Sequence, residues 1–234
     1  MPGCACFSFS CFSPRWPRPC PPNPARAWNG GKTASSPTCS ISPRVYGESE
    51  TARFPLVVFL HGAGERGNDL SLLKKHGPTK IAMDDHGFPF ILAAPQCPPD
   101  RWWEPDEVLA LTRHLMKTLQ VDARRVHLTG LSMGGYGTWA ALAKEPDLYA
   151  SGVPICGGGD PKHAPILKNI PIWAFHGEKD EVVPVARTRE MEEAILKAGG
   201  AKFRSTYYPE EAHESWTPAY ANPALFAWMM LQSR

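Results

Sequence analysis

The segment Gly130-Leu-Ser-Met-Gly134 has the residue types and spacing of a nucleophilic serine held on a sharp turn. Glycines two positions before and after the serine let a strand turn directly into a helix without Cβ clashes, which leaves the hydroxyl exposed. The neighbouring sequence fits, because an apolar run at residues 126–129 precedes the motif and a helical pattern at residues 136–143 follows it. The pattern predicts that Ser132 is a nucleophile; the alternative is an ordinary glycine-rich start of a helix.

An activated serine needs a histidine base and a carboxylate that orients it, and both should follow later strands. Asp180 lies a few residues past an apolar run at residues 171–175, within His-Gly-Glu-Lys-Asp-Glu-Val-Val-Pro. His213 follows the run at residues 202–208, which completes the order serine, acid, histidine. We therefore predict His213 as the base and an acid within this segment, for which Asp180 is the first candidate. The alternatives are two acids and two histidines: Glu178, Glu181, His163 and His176.

A glycine-rich loop, His61-Gly-Ala-Gly64, directly follows the apolar run at residues 56–60. Backbone N–H groups in such a loop can stabilise the oxyanion of an acyl-transfer intermediate, by about 3–4 kcal/mol for each well-placed donor. The expected donors are the N–H of Ala63 and the N–H of Met133, and His61 then supports the loop without transferring protons. A plain turn is the alternative. The polar residues that extend the loop are expected on a solvated or mutually paired rim: Glu65, Arg66, Asn68 and Asp69.

Three tryptophans stand close to these motifs in the chain. Trp102 and Trp103 follow the segment Ala94-Pro-Gln96, and Trp216 comes shortly after His213. Their rings can wall a pocket for an acyl or aryl group, so we predict that they bind substrate. The alternative is that they pack over the edge of the sheet.

Short apolar runs alternate with helical patterns from residue 54 onward, as expected for a sheet between two layers of helices. Buried strands are predicted at residues 56–60, 89–94, 126–129, 150–156 and 171–175, with an edge strand at 202–208. Helices are predicted at residues 105–119, 134–144, 186–199 and 223–231. The alternation predicts an α/β fold with a mostly parallel sheet. Each motif above follows the carboxyl end of a strand, where open α/β sheets have their active sites.

The composition indicates one domain that acts on a small or neutral partner. The chain has 234 residues, 43% of them hydrophobic, and a net charge of +2. That length suits a single folded domain. No basic stripe indicates nucleic acid as a partner, and no apolar run reaches the roughly 18 residues that a membrane span needs.

The first 45 residues differ from the rest of the chain. They hold five of the seven cysteines and many prolines, with no acidic residue and no sustained periodicity. We expect residues 1–45 to be disordered or non-native and residues 46–234 to form the domain. A targeting peptide is an alternative. The odd number of cysteines argues against a disulfide framework, and their spacing argues against a zinc site. The expected location is therefore the reducing cytoplasm, unless residues 1–45 direct secretion or import into an organelle.

Six segments have a familiar combined pattern: residues 61–68, 94–96, 130–139, 154–158, 176–184 and 213–216. Together they resemble the single-domain carboxylesterases of the α/β-hydrolase superfamily, in particular the bacterial phospholipase/carboxylesterase and "predicted peptidase" branch. This branch is related to dienelactone hydrolases and acyl-protein thioesterases. The resemblance implies the α/β-hydrolase fold, a triad of Ser132, Asp180 and His213, Ala63 and Met133 as oxyanion donors, and no cofactor.

The chain departs from the family pattern in two ways. Dienelactone hydrolases use a cysteine nucleophile, whereas this chain has Ser132, which favours plain ester hydrolysis. Family members also begin with one or two strands ahead of the run at residues 56–60. In this chain the segment that should form such a strand, residues 39–46, offers only Ile41 and Val45 as aliphatic residues. The sequence therefore leaves open whether the sheet has its N-terminal edge strands.

The function implied is hydrolysis of short-chain or aryl carboxylic esters through an acyl-enzyme on Ser132, with a small-molecule ester as the partner. A peptidase, or a thioesterase or lysophospholipase, with the same triad is the competing enzyme hypothesis. A catalytically inactive α/β-hydrolase scaffold that binds ligands is the hypothesis from another class. The sequence leaves the natural substrate and the oligomeric state open.

Overall fold

The apolar runs of the sequence form the central strands of one eight-stranded sheet in the computed structural model, which describes residues 26–28, 37–43, 45–84 and 88–234. The strands are β1 (Arg26–Trp28), β2 (Thr38–Ile41), β3 (Phe54–Leu60), β4 (Ile91–Pro95), β5 (Val121–Leu131), β6 (Ser151–Ile155), β7 (Ile172–Gly177) and β8 (Phe203–Tyr208). The helices are α1 (Gly77–Asp84), α2 (Pro105–Thr118), α3 (Met133–Lys144), α4 (Ala164–Leu167), α5 (Ala186–Lys197), α6 (Trp216–Ala221) and α7 (Pro223–Met230). Short 3-10 turns lie at Ala63–Glu65, Leu70–Lys74 and Pro161–His163.

The strands follow the order β1-β2-β4-β3-β5-β6-β7-β8 across the sheet. The six strands from β3 to β8 pair in parallel, whereas β1 and β2 pair antiparallel. Parallel neighbours need crossover connections, and helices provide them here. The α/β-hydrolase fold and the mostly parallel sheet predicted from the sequence are confirmed. The structure adds three helices that the sequence patterns do not predict, namely α1, α4 and α6.

Alternate residues of β3 show how the sheet separates two hydrophobic cores. Leu56, Val58 and Leu60 face one core, which contains side chains from α2, α3 and α5. Val57 and Phe59 face the other core, with side chains from α1, α6 and α7. Successive side chains of a strand point to opposite faces, so a strand that is apolar throughout must be covered on both sides. The prediction of helices on both faces is confirmed.

Two short antiparallel strands lie at the N-terminal edge of the sheet, where the sequence leaves the presence of strands open. The β2 strand pairs with β4 from Thr38 opposite Pro95 to Ile41 opposite Leu92, and β1 pairs with β2. Residues 26–28 and 38–41, which belong to the segment 1–45 expected outside the domain, thus pair with the sheet. The β2 strand contains one aliphatic residue, Ile41, so its place between β1 and β4 depends on backbone pairing rather than on an apolar pattern. Residues 1–25, 29–36 and 44 lie outside the described residues.

Candidate active site

Ser132 stands on a strained turn between β5 and α3. Its φ of 53° and ψ of −116° lie in a region that residues with a Cβ rarely adopt. The turn closes only because glycines flank it. A Cβ on Gly134 would lie 1.9 Å from the carbonyl oxygen of Leu60, and one on Gly130 would lie 2.3 Å from the carbonyl oxygen of Gly134. The glycines of the motif thus permit the tight strand-to-helix turn that their spacing predicts.

His213 joins Ser132 to Asp180 through two hydrogen bonds. The Ser132 hydroxyl donates to His213 Nε2 over 2.9 Å, and His213 Nδ1–H donates to Asp180 Oδ2 over 2.7 Å. Ser132 follows β5, Asp180 follows β7 and His213 follows β8. The carboxyl ends of parallel strands meet at one edge of the sheet, which brings the three side chains together. These are the three residues that the resemblance to the carboxylesterases implies.

The carboxylate of Asp180 is buried and surrounded by donors. Its side chain is 0% exposed, and Oδ1 accepts the N–H groups of Val182 at 2.9 Å and Val183 at 2.8 Å. A second histidine, His176, places its Nε2 atom 3.2 Å from Oδ2. A buried carboxylate needs such partners to offset its lost hydration, and they also hold it in one orientation.

Among the described residues, none of the alternative acids and histidines belongs to the hydrogen-bond chain that ends at the Ser132 hydroxyl. Glu178 is exposed and pairs with Arg189 at 2.6 Å, and Glu181 is exposed as well. His163 ends a 3-10 turn and shares no hydrogen bond with the Ser132 side chain among the described residues. His176 contacts the acid rather than the serine. Of the candidates from the sequence, Asp180 and His213 alone have the geometry of a hydrogen-bonded chain to Ser132.

The predicted oxyanion donors, Ala63 and Met133, are the first residues of helical turns. Ala63 opens the 3-10 turn after β3, and Met133 opens α3. An N–H group at such a position has no acceptor within its own helix. The loop also approaches the serine closely, because a Cβ on Gly62 would lie 3.7 Å from the Cβ of Ser132. This geometry fits two amide donors beside the Ser132 hydroxyl.

His61 is a buried support of this loop. The Cys97 N–H donates to His61 Nε2 over 2.9 Å, which leaves the proton on Nδ1, and Nδ1–H donates to the carbonyl oxygen of Gly62 over 2.6 Å. Burial lowers the pKa of His61 to about 4, so the ring is neutral at physiological pH. The indole N–H of Trp103 donates to the His61 carbonyl oxygen over 3.0 Å. These bonds fit the supporting role expected for His61.

Glu65 is buried, which corrects the expectation that it lies on a solvated rim. It is 7% exposed, and its Oε2 atom accepts the N–H of Gly62 over 3.0 Å. The buried Gln96, after β4, donates its Nε2–H groups to the carbonyl oxygens of Glu65 at 2.8 Å and Asp69 at 2.9 Å. Glu65 stands three residues after Gly62, the spacing at which the carboxylate half of a capping box accepts the backbone N–H of the first residue, and this signal could have identified Glu65. No comparable signal marks Gln96 in a single sequence.

The three tryptophans occupy different environments. Trp102 is 58% exposed and packs edge-to-face on Tyr136 with ring centroids 5.9 Å apart. The half-buried Trp103 packs against His61 at 4.9 Å, and the buried Trp216 packs against His213 at 5.3 Å. Trp103 and Trp216 therefore support residues of the site, while Trp102 alone opens its ring to solvent. Their role in substrate binding stays a prediction.

One group of described side chains approaches the arrangement of a metal site. Cys156, Asp180 and His213 each offer a ligand atom, and these atoms lie within 4.8 Å of one another. Two of the three are already hydrogen-bonded to each other. Burial raises the pKa of the Cys156 thiol strongly, and the thiol form is a poor metal ligand. The arrangement suits proton transfer better than metal binding.

The comparison with known proteins agrees with this geometry. Residues 106–222, half of the chain, match the phospholipase/carboxylesterase family, and the match includes Ser132, Asp180 and His213. The chain belongs to the phospholipase/carboxylesterase family. A thermostable esterase of known structure is 34% identical to it, with a TM-score of 0.76 over 90% of this chain and 63% of that one.

Two further relatives of this member of the phospholipase/carboxylesterase family match over shorter stretches. A putative carboxymethylenebutenolidase of Methylorubrum extorquens is 35% identical over 49% of this chain and 44% of its own length. The bifunctional acetylxylan esterase/xylanase XynS20E of Neocallimastix patriciarum is 25% identical over 59% of this chain and 21% of its own length. The chain thus spans less than two thirds of each of these three proteins. Among the described residues, no helix combines the length and the apolar character that a membrane span requires.

Proposed function

We propose that this chain is a serine carboxylesterase that hydrolyses short-chain or aryl carboxylic esters through an acyl-enzyme on Ser132. The observation that carries the proposal is the unbroken hydrogen-bond chain from the Ser132 hydroxyl through His213 to Asp180, with distances of 2.9 and 2.7 Å. This is the arrangement by which a neutral imidazole activates a serine as a nucleophile. Membership of the phospholipase/carboxylesterase family supports it.

In the proposed reaction, His213 removes the hydroxyl proton as Ser132 Oγ attacks the carbonyl carbon of the ester. The resulting oxyanion binds the N–H groups of Ala63 and Met133. His213 then gives the proton to the leaving alcohol as the C–O bond breaks, and the acyl group remains on Ser132. Water attacks the acyl-enzyme with His213 again acting as base, which releases the carboxylic acid and restores the serine.

The environments of Asp180 and His213 suit these proton transfers. Asp180 is 0% exposed at its side chain, whereas the His213 side chain is 18% exposed. The buried carboxylate stabilises the imidazolium that forms on His213, since charges interact more strongly where water is excluded. The partial exposure of His213 leaves room for the leaving group and for the attacking water.

The exposed Trp102 supports the preference for aryl or short-chain esters. It packs on Tyr136, which lies one helical turn after Ser132, so its ring stands near the serine side of the site. An aromatic ring in this position can stack on an aryl group or cover a small acyl chain. From residue 88 to residue 234, the connections at this edge hold single helices and short turns rather than a lid domain. Long acyl chains would therefore find little apolar cover.

A comparison of matched substrates tests the reaction class. The values of kcat/KM are measured for an acetyl ester, the corresponding thioester and the corresponding amide, followed by aryl esters of increasing acyl length. The proposal predicts the highest value for the ester and a decrease from acetyl or butyryl to palmitoyl. A dominant amide rate would indicate a peptidase, and a dominant thioester rate would indicate a thioesterase. A rate that increases toward palmitoyl would favour the lysophospholipase hypothesis.

Labelling with a fluorophosphonate probe separates an enzyme from an inactive scaffold. The probe reacts covalently with serines that are activated by a base. We expect the folded wild-type chain to be labelled at Ser132 and the Ser132→Ala variant to stay unlabelled. A folded wild-type chain that resists labelling would support the scaffold hypothesis.

A further inference from the structure

We propose that Glu65 is a positioning residue for the oxyanion hole. Its buried carboxylate accepts the Gly62 N–H and thereby fixes the direction in which the next amide, the Ala63 N–H, points. This inference rests on the proposed function, because it assigns Glu65 a role in the acyl transfer at Ser132.

The peptide unit between Gly62 and Ala63 is held at its carbonyl end by His61. In a trans peptide the C=O bond and the following N–H bond point in opposite directions. His61 Nδ1–H binds the Gly62 carbonyl oxygen over 2.6 Å. The carbonyl therefore points toward the His61 ring, and the Ala63 N–H points away from it.

Glu65 holds the other end of Gly62. Its Oε2 atom accepts the Gly62 N–H over 3.0 Å, so both backbone polar groups of this glycine are bonded to side chains. A Cβ on Gly62 would lie 3.3 Å from Oε2 of Glu65 and 3.7 Å from the Cβ of Ser132, which places these bonds beside the nucleophile. A glycine in a loop has wide conformational freedom, and a donor that depends on it needs such restraint.

The backbone of the loop is held in place at Glu65 and again two residues later, at Gly67. Its carbonyl oxygen accepts a hydrogen bond from Gln96 over 2.8 Å, and the N–H of Gly67 donates to the Cys97 carbonyl oxygen over 2.9 Å. The loop is thereby anchored to the end of β4. The Nε2 atom of His76 lies 3.8 Å from Oε1 of Glu65.

The charge of Glu65 does not explain its position. A carboxylate near the nucleophile repels an oxyanion that forms there, so the negative charge opposes the reaction. Its value to the site must come from the acceptor that it offers to Gly62. An uncharged acceptor of the same length should therefore replace it, and a side chain of similar volume without an acceptor should not.

The variants Glu65→Gln and Glu65→Met separate these properties. Glutamine keeps an acceptor oxygen, and methionine fills a similar volume without one. On a short aryl ester, we expect Glu65→Met to lower kcat about 10- to 100-fold with KM changed less than about threefold, because removal of a complete oxyanion donor costs about 100- to 1,000-fold. We expect kcat of Glu65→Gln to stay within about threefold of wild type.

Affinity for a trifluoromethyl ketone gives a second readout that a merely structural role would not change. This inhibitor forms a tetrahedral adduct with an anionic oxygen, so it requires the oxyanion hole. In Glu65→Met its affinity should decrease by the same factor as kcat/KM. If that variant does not fold, Glu65→Asp replaces it, since aspartate withdraws the acceptor by one methylene and should show the same paired losses.

The possible results separate this inference from the proposed function. A folded Glu65→Met (or Glu65→Asp) with wild-type kcat and inhibitor affinity would overturn the role of Glu65 and leave the Ser132 mechanism intact. Equal losses in Glu65→Gln and Glu65→Met would overturn the acceptor argument. A wild-type chain that neither hydrolyses esters nor reacts with a fluorophosphonate would overturn the proposed function and this inference with it.

Discussion

The Nε2 atom of His176 lies 3.2 Å from Asp180 Oδ2, the oxygen that also accepts the hydrogen bond of His213. The His176 ring is held in place, because Nε2 is 2.8 Å from the carbonyl oxygen of Val183 and Nδ1 is 2.7 Å from the Thr188 hydroxyl. Two histidines, His176 and His213, therefore contact the same carboxylate oxygen of Asp180. His176 has no hydrogen bond to Ser132 among the described residues, and we expect its contact with Asp180 to limit the orientations of that carboxylate.

Replacement of His176 by leucine should reduce both activity and stability. The variant removes the contact to the Asp180 carboxylate, so we expect kcat to decrease about tenfold and the free energy of unfolding to decrease by about 1–3 kcal/mol. Ester hydrolysis and urea unfolding measure the two effects. Glu181→Gln, at an exposed position in the same loop, is the control and should match wild type. A folded His176→Leu protein with full kcat would show that this contact does not orient the acid.

Substitutions of Ser132 should reveal the strain of its backbone. Both Ser132→Ala and Ser132→Gly remove the nucleophile, but only glycine adopts φ of 53° and ψ of −116° without strain. Relief of about 1–3 kcal/mol of strain exceeds the entropy that glycine adds to the unfolded chain, so the glycine variant should be more stable than the alanine variant by about 1 kcal/mol. Urea unfolding compares the pair. At the exposed Ser71, where φ is negative, the order should reverse.

Gly134 should tolerate no side chain. A Cβ there would lie 1.9 Å from the carbonyl oxygen of Leu60, and the first turn of α3 cannot move away from the end of β3 without opening the turn that holds Ser132. We expect Gly134→Ala to lose more than about 3 kcal/mol of stability or to fail to fold. The control is Gly64→Ala, for which no atom lies within 4 Å of the new Cβ. Soluble yield and thermal unfolding of the two variants test this contrast.

Acid should weaken the fold through two buried histidines. Burial lowers the pKa of His61 and that of His127 to about 4, against about 6.5 in an unfolded chain. The unfolded state therefore takes up protons first, and stability that is fully present above pH 6.5 is lost as the pH falls toward 4. The free energy of unfolding should decrease by up to about 1.4 kcal/mol per pH unit for each histidine.

Urea unfolding at several values between pH 7 and pH 5 measures this dependence. The variant His127→Gln keeps a polar group near the Ser151 hydroxyl, which lies 2.8 Å from Nδ1 in the wild type, and removes one titrating ring. Its stability should change less with pH than that of the wild type. Identical pH profiles for the two proteins would contradict the assignment of His127.

Much of the site follows from the sequence because its residues lie at strand ends. The five buried strands predicted for the parallel sheet are short apolar runs, so their ends can be located, and the side chains after the ends of parallel strands meet at one edge. This logic places Ser132, Asp180 and His213 together, as the hydrogen bonds in the structure do. It also locates the loop that carries Ala63.

Other features depend on contacts that a single sequence does not reveal. The burial of Glu65 results from a loop that folds back on its own Gly62 and from Gln96, a residue about thirty positions away. The β2 strand is held between β1 and β4 by backbone hydrogen bonds and has no apolar pattern to reveal it. Local patterns identify what is continuous and apolar, and they miss polar groups that long-range packing buries.

Trapping of the acyl-enzyme tests the central claim most directly. The wild-type chain is mixed with p-nitrophenyl acetate, the reaction is quenched in acid during the first turnover, and the peptides are mapped by mass spectrometry. The account predicts a burst of p-nitrophenol and one acetyl group on the peptide that contains Ser132, with both absent from Ser132→Ala and strongly reduced in His213→Ala. Turnover of the ester without acetylation of Ser132, or with acetylation of Cys156 instead, would contradict it.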